Sequence, residues 1–78
     1  MSEKLYSLIS KILGIPIQQI NDDSGPGNLS SWTSFKSYVL LYELESTFDV
    51  KFSIDEIMDV KNVSDIKRHL KNHGKSFD

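Results

Sequence analysis

The chain has no cysteine among its 78 residues. That excludes a disulfide framework, a thiolate metal site and a cysteine nucleophile, so any sulfur chemistry has to come from an attached group. No apolar run approaches the roughly 20 residues needed to cross a bilayer, and no membrane span is expected. Met1-Ser2-Glu3-Lys4 lacks the apolar core and cleavage site of a secretory signal, so the chain reads as cytoplasmic. Excess positive charge is missing as well. A net charge of −2 gives no pull on nucleic acid, whose binding rests on clustered Lys and Arg against phosphate. The short basic cluster Lys67-Arg68-His69-Lys71 reads as a solvated face of the last helix, with Asp59 and Asp65 nearby in sequence. Strand alternation and internal repeats are also absent.

What is present fits one small domain, residues 1–78, near the lower size at which a hydrophobic core stands alone. Such a chain leaves little room for a buried active-site cavity. Leu5, Leu8, Ile9, Ile12 and Leu13 recur at helical spacing from Ser2, a candidate cap, to Gly14 and Pro16, which stop the helix. Ile15, Ile17 and Ile20 predict a connection pinned to the core. The run Asn21 to Asn28 is rich in turn formers, and its glycines can supply positive φ. It lacks the spaced ligand ladder and closing Glu of a calcium loop, and Gly25-Pro26-Gly27 is not followed by the Gly-Lys-Ser/Thr of a phosphate loop.

A second helix is predicted over Ser34 to Phe48. Ser53 and Glu56 form a capping box for a short third helix that buries Ile57, with Met58 and Val60 ending it against the core. Asn62 or Ser64 starts the last helix, which turns Val63, Ile66 and Leu70 inward and ends near Gly74. The fold class is all-α: a small irregular four-helix bundle with a long loop between helices 1 and 2 and a short third helix.

The second helix has two apolar faces. At about 100° per residue, Ser37, Leu40, Leu41, Leu44 and Phe48 share one, and Phe35, Tyr38, Val39 and Tyr42 share another about 150° away. The second set is either a core seam covered by the long loop or a docking face beside Ser34. On position alone Ser34 reads as an N-cap, with Thr33 and Ser31 as competitors. Placed instead in the first turn, its hydroxyl would lie beside free N–H groups at the positive end of the helix dipole, where an anionic phosphoester is favoured. His69 and His73, four apart, have no neighbouring Glu and no evident third ligand. They are read as exposed surface histidines, with no metal site. No spacing supports a Ser-His-carboxylate catalytic set, so the chain is not read as an enzyme.

Trp32-Thr33-Ser34-Phe35, the Leu40-to-Glu45 helix, the run from Phe48 to Ile57, and Lys61-Asn62-Val63-Ser64-Asp65 together resemble the acyl carrier protein family over nearly the whole chain. The resemblance implies that Ser34 attacks the β-phosphate of coenzyme A in a magnesium-dependent phosphopantetheinyl transferase and receives 4′-phosphopantetheine. It implies acyl cargo held as thioesters and shown to an acyl-loading ligase or transferase and to synthases of fatty-acid, polyketide or related pathways. A monomer is expected, and aminoacyl or peptidyl cargo is an alternative. Two departures stand out. The family's usual Asp-Ser-Leu is Thr33-Ser34-Phe35 here, which removes a carboxylate that helps engage the transferase. Lys36 and Val39 occupy positions often acidic in relatives, so docking is expected to lean on Phe35, Tyr38, Val39 and Tyr42. The alternative is a carrier fold that is never modified and uses that face only to bind a partner.

Overall fold

The structure, a computed structural model, describes residues 3–77. Along the chain it contains α1 (Glu3–Leu13), one 3-10 turn (Ile17–Gln19), α2 (Ser34–Phe48), α3 (Ile54–Asp59) and α4 (Val63–Asn72). This is the all-α architecture expected, with no strand among the described residues and the shortest helix third.

Leu5, Ile9 and Leu13 repeat every four residues and are buried, with Leu8 and Ile12 packed at the margin. Gly14 closes α1 at φ +70°, a conformation that costs glycine little. Ser2, the expected cap, lies outside the described residues. In α2 the buried stripe is Leu40, Leu41, Leu44 and Phe48. Asp49 ends that helix in the left-handed region at φ 52°, which Asp tolerates better than most residues. Val63, Ile66 and Leu70 bury the inner face of α4 as expected, and Asn62 is its cap, accepting from the Asp65 N–H at 2.9 Å.

The capping box on α3 forms in both directions: Ser53 N–H donates to Glu56 Oε1 (2.8 Å) and Glu56 N–H to Ser53 Oγ (3.1 Å). The expected burial of α3 is met only in part. Ile57 and Val60, three apart, pack half-buried on the core, whereas Ile54 and Met58, four apart, share the outward face. Met58 therefore does not end the helix against the core.

The long connection is tied down rather than merely lying on the surface. Ile20 and Trp32 enter the core, and Ile15 packs against it, while Ile17 sits half-exposed in the 3-10 turn. Within the turn run, Asn28 accepts from Gly25 N–H and donates to the Asp23 carbonyl. Asn21 Oδ1 accepts from Asp23 N–H, and Ser24 Oγ accepts from Asn21 N–H. The segment then docks on the start of α4, where Val63 N–H donates to Ser24 O and Ser64 N–H to Asp22 O, both at 2.9 Å. Gly25 is needed here for close approach and not for positive φ, since a Cβ would sit 2.1 Å from the Lys61 carbonyl oxygen.

The basic cluster is paired rather than simply solvated. Lys67 binds Asp22, and Arg68 binds Asp59 and Asp65. His69 is only 6% exposed, a correction to its reading as a surface residue. The reason is α3, whose carboxylates reach back over α4: Asp59 meets His69 Nε2 at 3.0 Å and Glu56 meets His73 Nε2 at 2.8 Å.

Leu44→Ala should destabilise the protein by about 2–5 kcal/mol in urea denaturation, as a large-to-small change at a fully buried site. Gly25→Ala should cost roughly 1–3 kcal/mol through overpacking, whereas Gly27→Ala, which meets nothing within 4 Å, should stay within about 0.5 kcal/mol. Equal effects at the two glycines would refute the close-approach account.

Acid should also weaken the fold. The Asp22 carboxyl is held below its ordinary range by hydrogen bonds from Lys67 and then Tyr6, Glu56 by the Ser53 N–H and then His73, and Asp59 by Arg68 and then His69. Carboxyls lowered in the folded state contribute stability that is present above the unfolded value, about 4, and is lost as pH falls through the folded values. The urea midpoint should therefore drop as pH falls below about 5, and Asp22→Asn should flatten that drop.

Candidate functional site

The chain enters α2 through Trp32, a buried indole whose Nε1–H donates to Ser37 Oγ at 2.7 Å. That bond joins the residue before the cap to the first turn of the helix. Thr33 follows in extended conformation and is the cap, its hydroxyl accepting from Lys36 N–H at 3.2 Å. The position-only reading of Ser34 as N-cap is thus corrected. A β-branched hydroxyl in extended backbone does the capping, and Ser34 becomes the first helical residue.

This arrangement separates the local hydroxyls by task. Thr33 is used on the backbone and Ser37 on the indole, while Ser34 is exposed and makes no hydrogen bond to another described residue. Ser37 N–H is bonded to the Thr33 carbonyl, so the amides of Ser34 and Phe35 are the ones that the first turn leaves without intrahelical partners. No acidic residue stands in that turn. Its one cation is drawn away, because Lys36 Nζ reaches the Ile12 carbonyl at the end of α1, at 3.0 Å, where the α1 dipole is negative.

Beside Ser34 lies a cavity of about 250 Å³ between α2 and α3. Trp32, Ser37, Leu40 and Leu41 line it from the α2 side, and Ile57, Met58 and Val60 from the α3 side. The sequence left little room for such a space, and it exists because α3 contributes no fully buried side chain to fill it. Tyr38 also lines the cavity and connects it to the second face of α2.

That second face is not a covered seam. Phe35, Tyr38 and Tyr42 are 73%, 67% and 71% exposed, and Val39 is half-buried at its edge. Covering it would require the long loop, which is instead bound to α4. The sequence reading missed two further exposed apolar residues, Ile54 and Met58 on α3, 75% and 76% exposed, of which Met58 lines the cavity together with Tyr38. Their four-residue spacing on a capped helix was the available signal.

The remaining candidates for chemistry do not converge on Ser34. Both histidines are engaged by α3 carboxylates, and neither lines the cavity. Among the described residues no group of three or more His, Cys, Asp or Glu side chains is arranged to hold a metal ion, and no helix is long and apolar enough to cross a membrane.

No individual curated protein matches the chain. A family model described as a phosphopantetheine attachment site matches residues 3–70, from the first described residue through the last core residue of α4. The exposed hydroxyl at a helix start, the neighbouring cavity and this match lead to one assignment: the chain belongs to the phosphopantetheine attachment-site family, whose carrier domains hold 4′-phosphopantetheine covalently on a serine.

Proposed function

We propose that this protein is an acyl carrier, cytoplasmic and monomeric, that takes 4′-phosphopantetheine on Ser34 and presents thioester-bound acyl intermediates to enzymes of fatty-acid, polyketide or related biosynthesis. The observation that carries the reading is the division of hydroxyls at the start of α2, where Ser34 alone is both in the first helical turn and unengaged. The residues there fit the group. A phosphodiester on Ser34 Oγ would stand beside the Ser34 and Phe35 amides at the positive end of a 15-residue helix. No carboxylate lies in the first turn to oppose it.

Each residue has a separate task in this reading. Thr33 fixes the start of α2, and the Trp32–Ser37 bond holds the approaching chain, so that the Ser34 hydroxyl is offered outward as nucleophile toward the β-phosphate of coenzyme A. When bound, the group supplies the thiol that a chain without cysteine lacks. Phe35, Tyr38, Val39 and Tyr42 form the face that a transferase, a loading ligase or acyltransferase and a synthase would meet. In this reading the partner enzymes carry out the acyl chemistry and the chain presents its cargo to them.

Thr33 supports a second reading. A neutral residue before the serine, beside an apolar surface, also suits a carrier fold that binds a partner without being modified. Aminoacyl or peptidyl cargo would use the same attachment.

Incubation with magnesium, coenzyme A and a panel of transferases, followed by intact mass, should add one phosphopantetheine to the protein and none to Ser34→Ala. Thr33→Asp keeps a good cap and restores the carboxylate, so it should speed modification severalfold with a broad-specificity transferase. Failure of every transferase, including those of the source organism, would sink the attachment reading. If Ser34→Ala also leaves function in the host intact, the unmodified reading prevails.

Tyr38→Asp tests the docking face. It should weaken binding to a loading or synthase partner by roughly tenfold or more, the scale of an aromatic anchor, with an unchanged urea midpoint because Tyr38 is exposed. Unchanged affinity would remove Tyr38 from the interface.

A further inference from the structure

His69 is the one buried titratable side chain among the described residues, and the carrier reading gives it no task. Its ring lies edge-on to Phe52 from the α2–α3 connection, with centroids 6.5 Å apart. From α3, Asp59 Oδ2 lies 3.0 Å from Nε2, and Glu56 Oε2 lies 3.5 Å from Nδ1. Nδ1 is nevertheless the one buried side-chain polar atom without a hydrogen-bond partner among the described residues. On α4 itself, Arg68 pairs with Asp59, and His73, one turn further on, places Nε2 2.8 Å from the same Glu56 oxygen.

A neutral imidazole carries one N–H and one lone pair. Either tautomer of neutral His69 therefore turns a lone pair toward a carboxylate. With Nε2–H donating to Asp59, the better geometry, Nδ1 and Glu56 oppose each other as two acceptors in a buried site, an arrangement that costs free energy. The imidazolium has a donor at each nitrogen and satisfies both carboxylates of α3 at once. Protonated His73 adds a second cation to Glu56.

We propose that His69, with His73, forms a proton-operated latch that fastens α3 to α4 through Glu56 and Asp59. Protonation closes it and loss of the proton loosens it. α3 depends on this contact because it is six residues long, contributes no fully buried side chain and is far below the length of an independently stable helix. Both carboxylates stay ionised when histidine changes charge: Glu56 is held below its usual range by the Ser53 N–H and then His73, and Asp59 by Arg68 and then His69. The consequence reaches the candidate site, since Ile57, Met58 and Val60 are the α3 wall of the cavity beside Ser34. A loosened α3 is a loosened wall, whether or not Ser34 is modified.

Amide hydrogen exchange on the full chain without a prosthetic group tests the latch. Corrected for intrinsic exchange rates, protection over residues 57–60 should fall about tenfold as pH is raised from about 5.5 to about 7.5. Amides around Ile9 in α1 should not follow. The double variant His69→Gln/His73→Gln keeps donors for Asp59 and Glu56 but cannot titrate, so its profile should be flat. Glu56→Gln should also be flat and remain protected, because its carboxamide N–H can donate to neutral Nδ1; it serves if the double variant does not fold. Protection in the wild type that ignores pH, a fall that persists in a folded variant, or an equal fall in α1 would each overturn the proposal.

Discussion

The site depends first on the contact between the long connection and the start of α4. Twenty residues separate α1 from α2, and left free they would let Ser34 wander and leave Trp32 without a fixed place. The contact removes that freedom with three backbone-level constraints: Gly25 against the Lys61 carbonyl, Ser24 O receiving Val63 N–H, and Asp22 O receiving Ser64 N–H. Lys67 adds its pairing with Asp22 and lies over the rings of Tyr6 and Phe77, so that α1, the connection, α4 and the C-terminal segment meet at one point. Between this anchor and the Trp32 indole, the chain has little choice of where α2 begins.

With its start fixed, α2 divides its faces by what can reach them. The inward stripe meets α1 and joins the core that α4 also enters. The outward one would need cover from the connection, which is already committed elsewhere, or from α3, which is too short and turns Ile57 and Val60 inward while Ile54 and Met58 remain outside. The exposed apolar surface is therefore a consequence of how the connection is spent. Five large apolar side chains, each more than two-thirds exposed in so small a protein, exceed the scattered exposure that needs no explanation. Two of them, Tyr38 and Met58, also line the cavity beside Ser34, which makes a docking role the economical account.

Elements set by local rules were legible in the sequence. The bounds of α2, the Ser53–Glu56 capping box, the glycine stops and the inward residues of α1 and α4 all follow from spacing and capping chemistry, which act within a few residues. What was not legible depended on contacts distant in sequence. Gly25 looked like a turn residue because its neighbours are turn formers, yet its role is set by Lys61. His69 looked exposed because α4 alone offers it no partner, and only the fold of α3 brings Glu56 and Asp59 onto it. Met58 was misplaced for a related reason: on a six-residue helix, which pair of apolar residues faces inward is decided by how the helix docks. At the start of α2, position alone favoured Ser34 as the cap over its place in the first turn, because Thr33 and Ser34 are both good caps until the backbone shows which is extended.

The replacement of the usual acidic residue by Thr33 and the apolar character of α2 follow one electrostatic pattern. An acidic first turn attracts basic partners at long range and repels phosphate at short range. Here the cap is neutral, Lys36 is tied to the end of α1, and the Glu45 carboxylate accepts from Phe52 N–H at 2.8 Å, so it is engaged in holding the α2–α3 connection. Lys36 and Glu45 are thus held in place rather than free to swing toward an approaching partner. On the carrier reading proposed above, recognition comes from short-range burial of Phe35, Tyr38 and Tyr42, with Met58 contributed by α3. Charge steering mainly raises association rates, whereas aromatic burial mainly slows dissociation. A carrier built this way should discriminate partners by the fit of an apolar surface, and that surface is only as well defined as the position of α3.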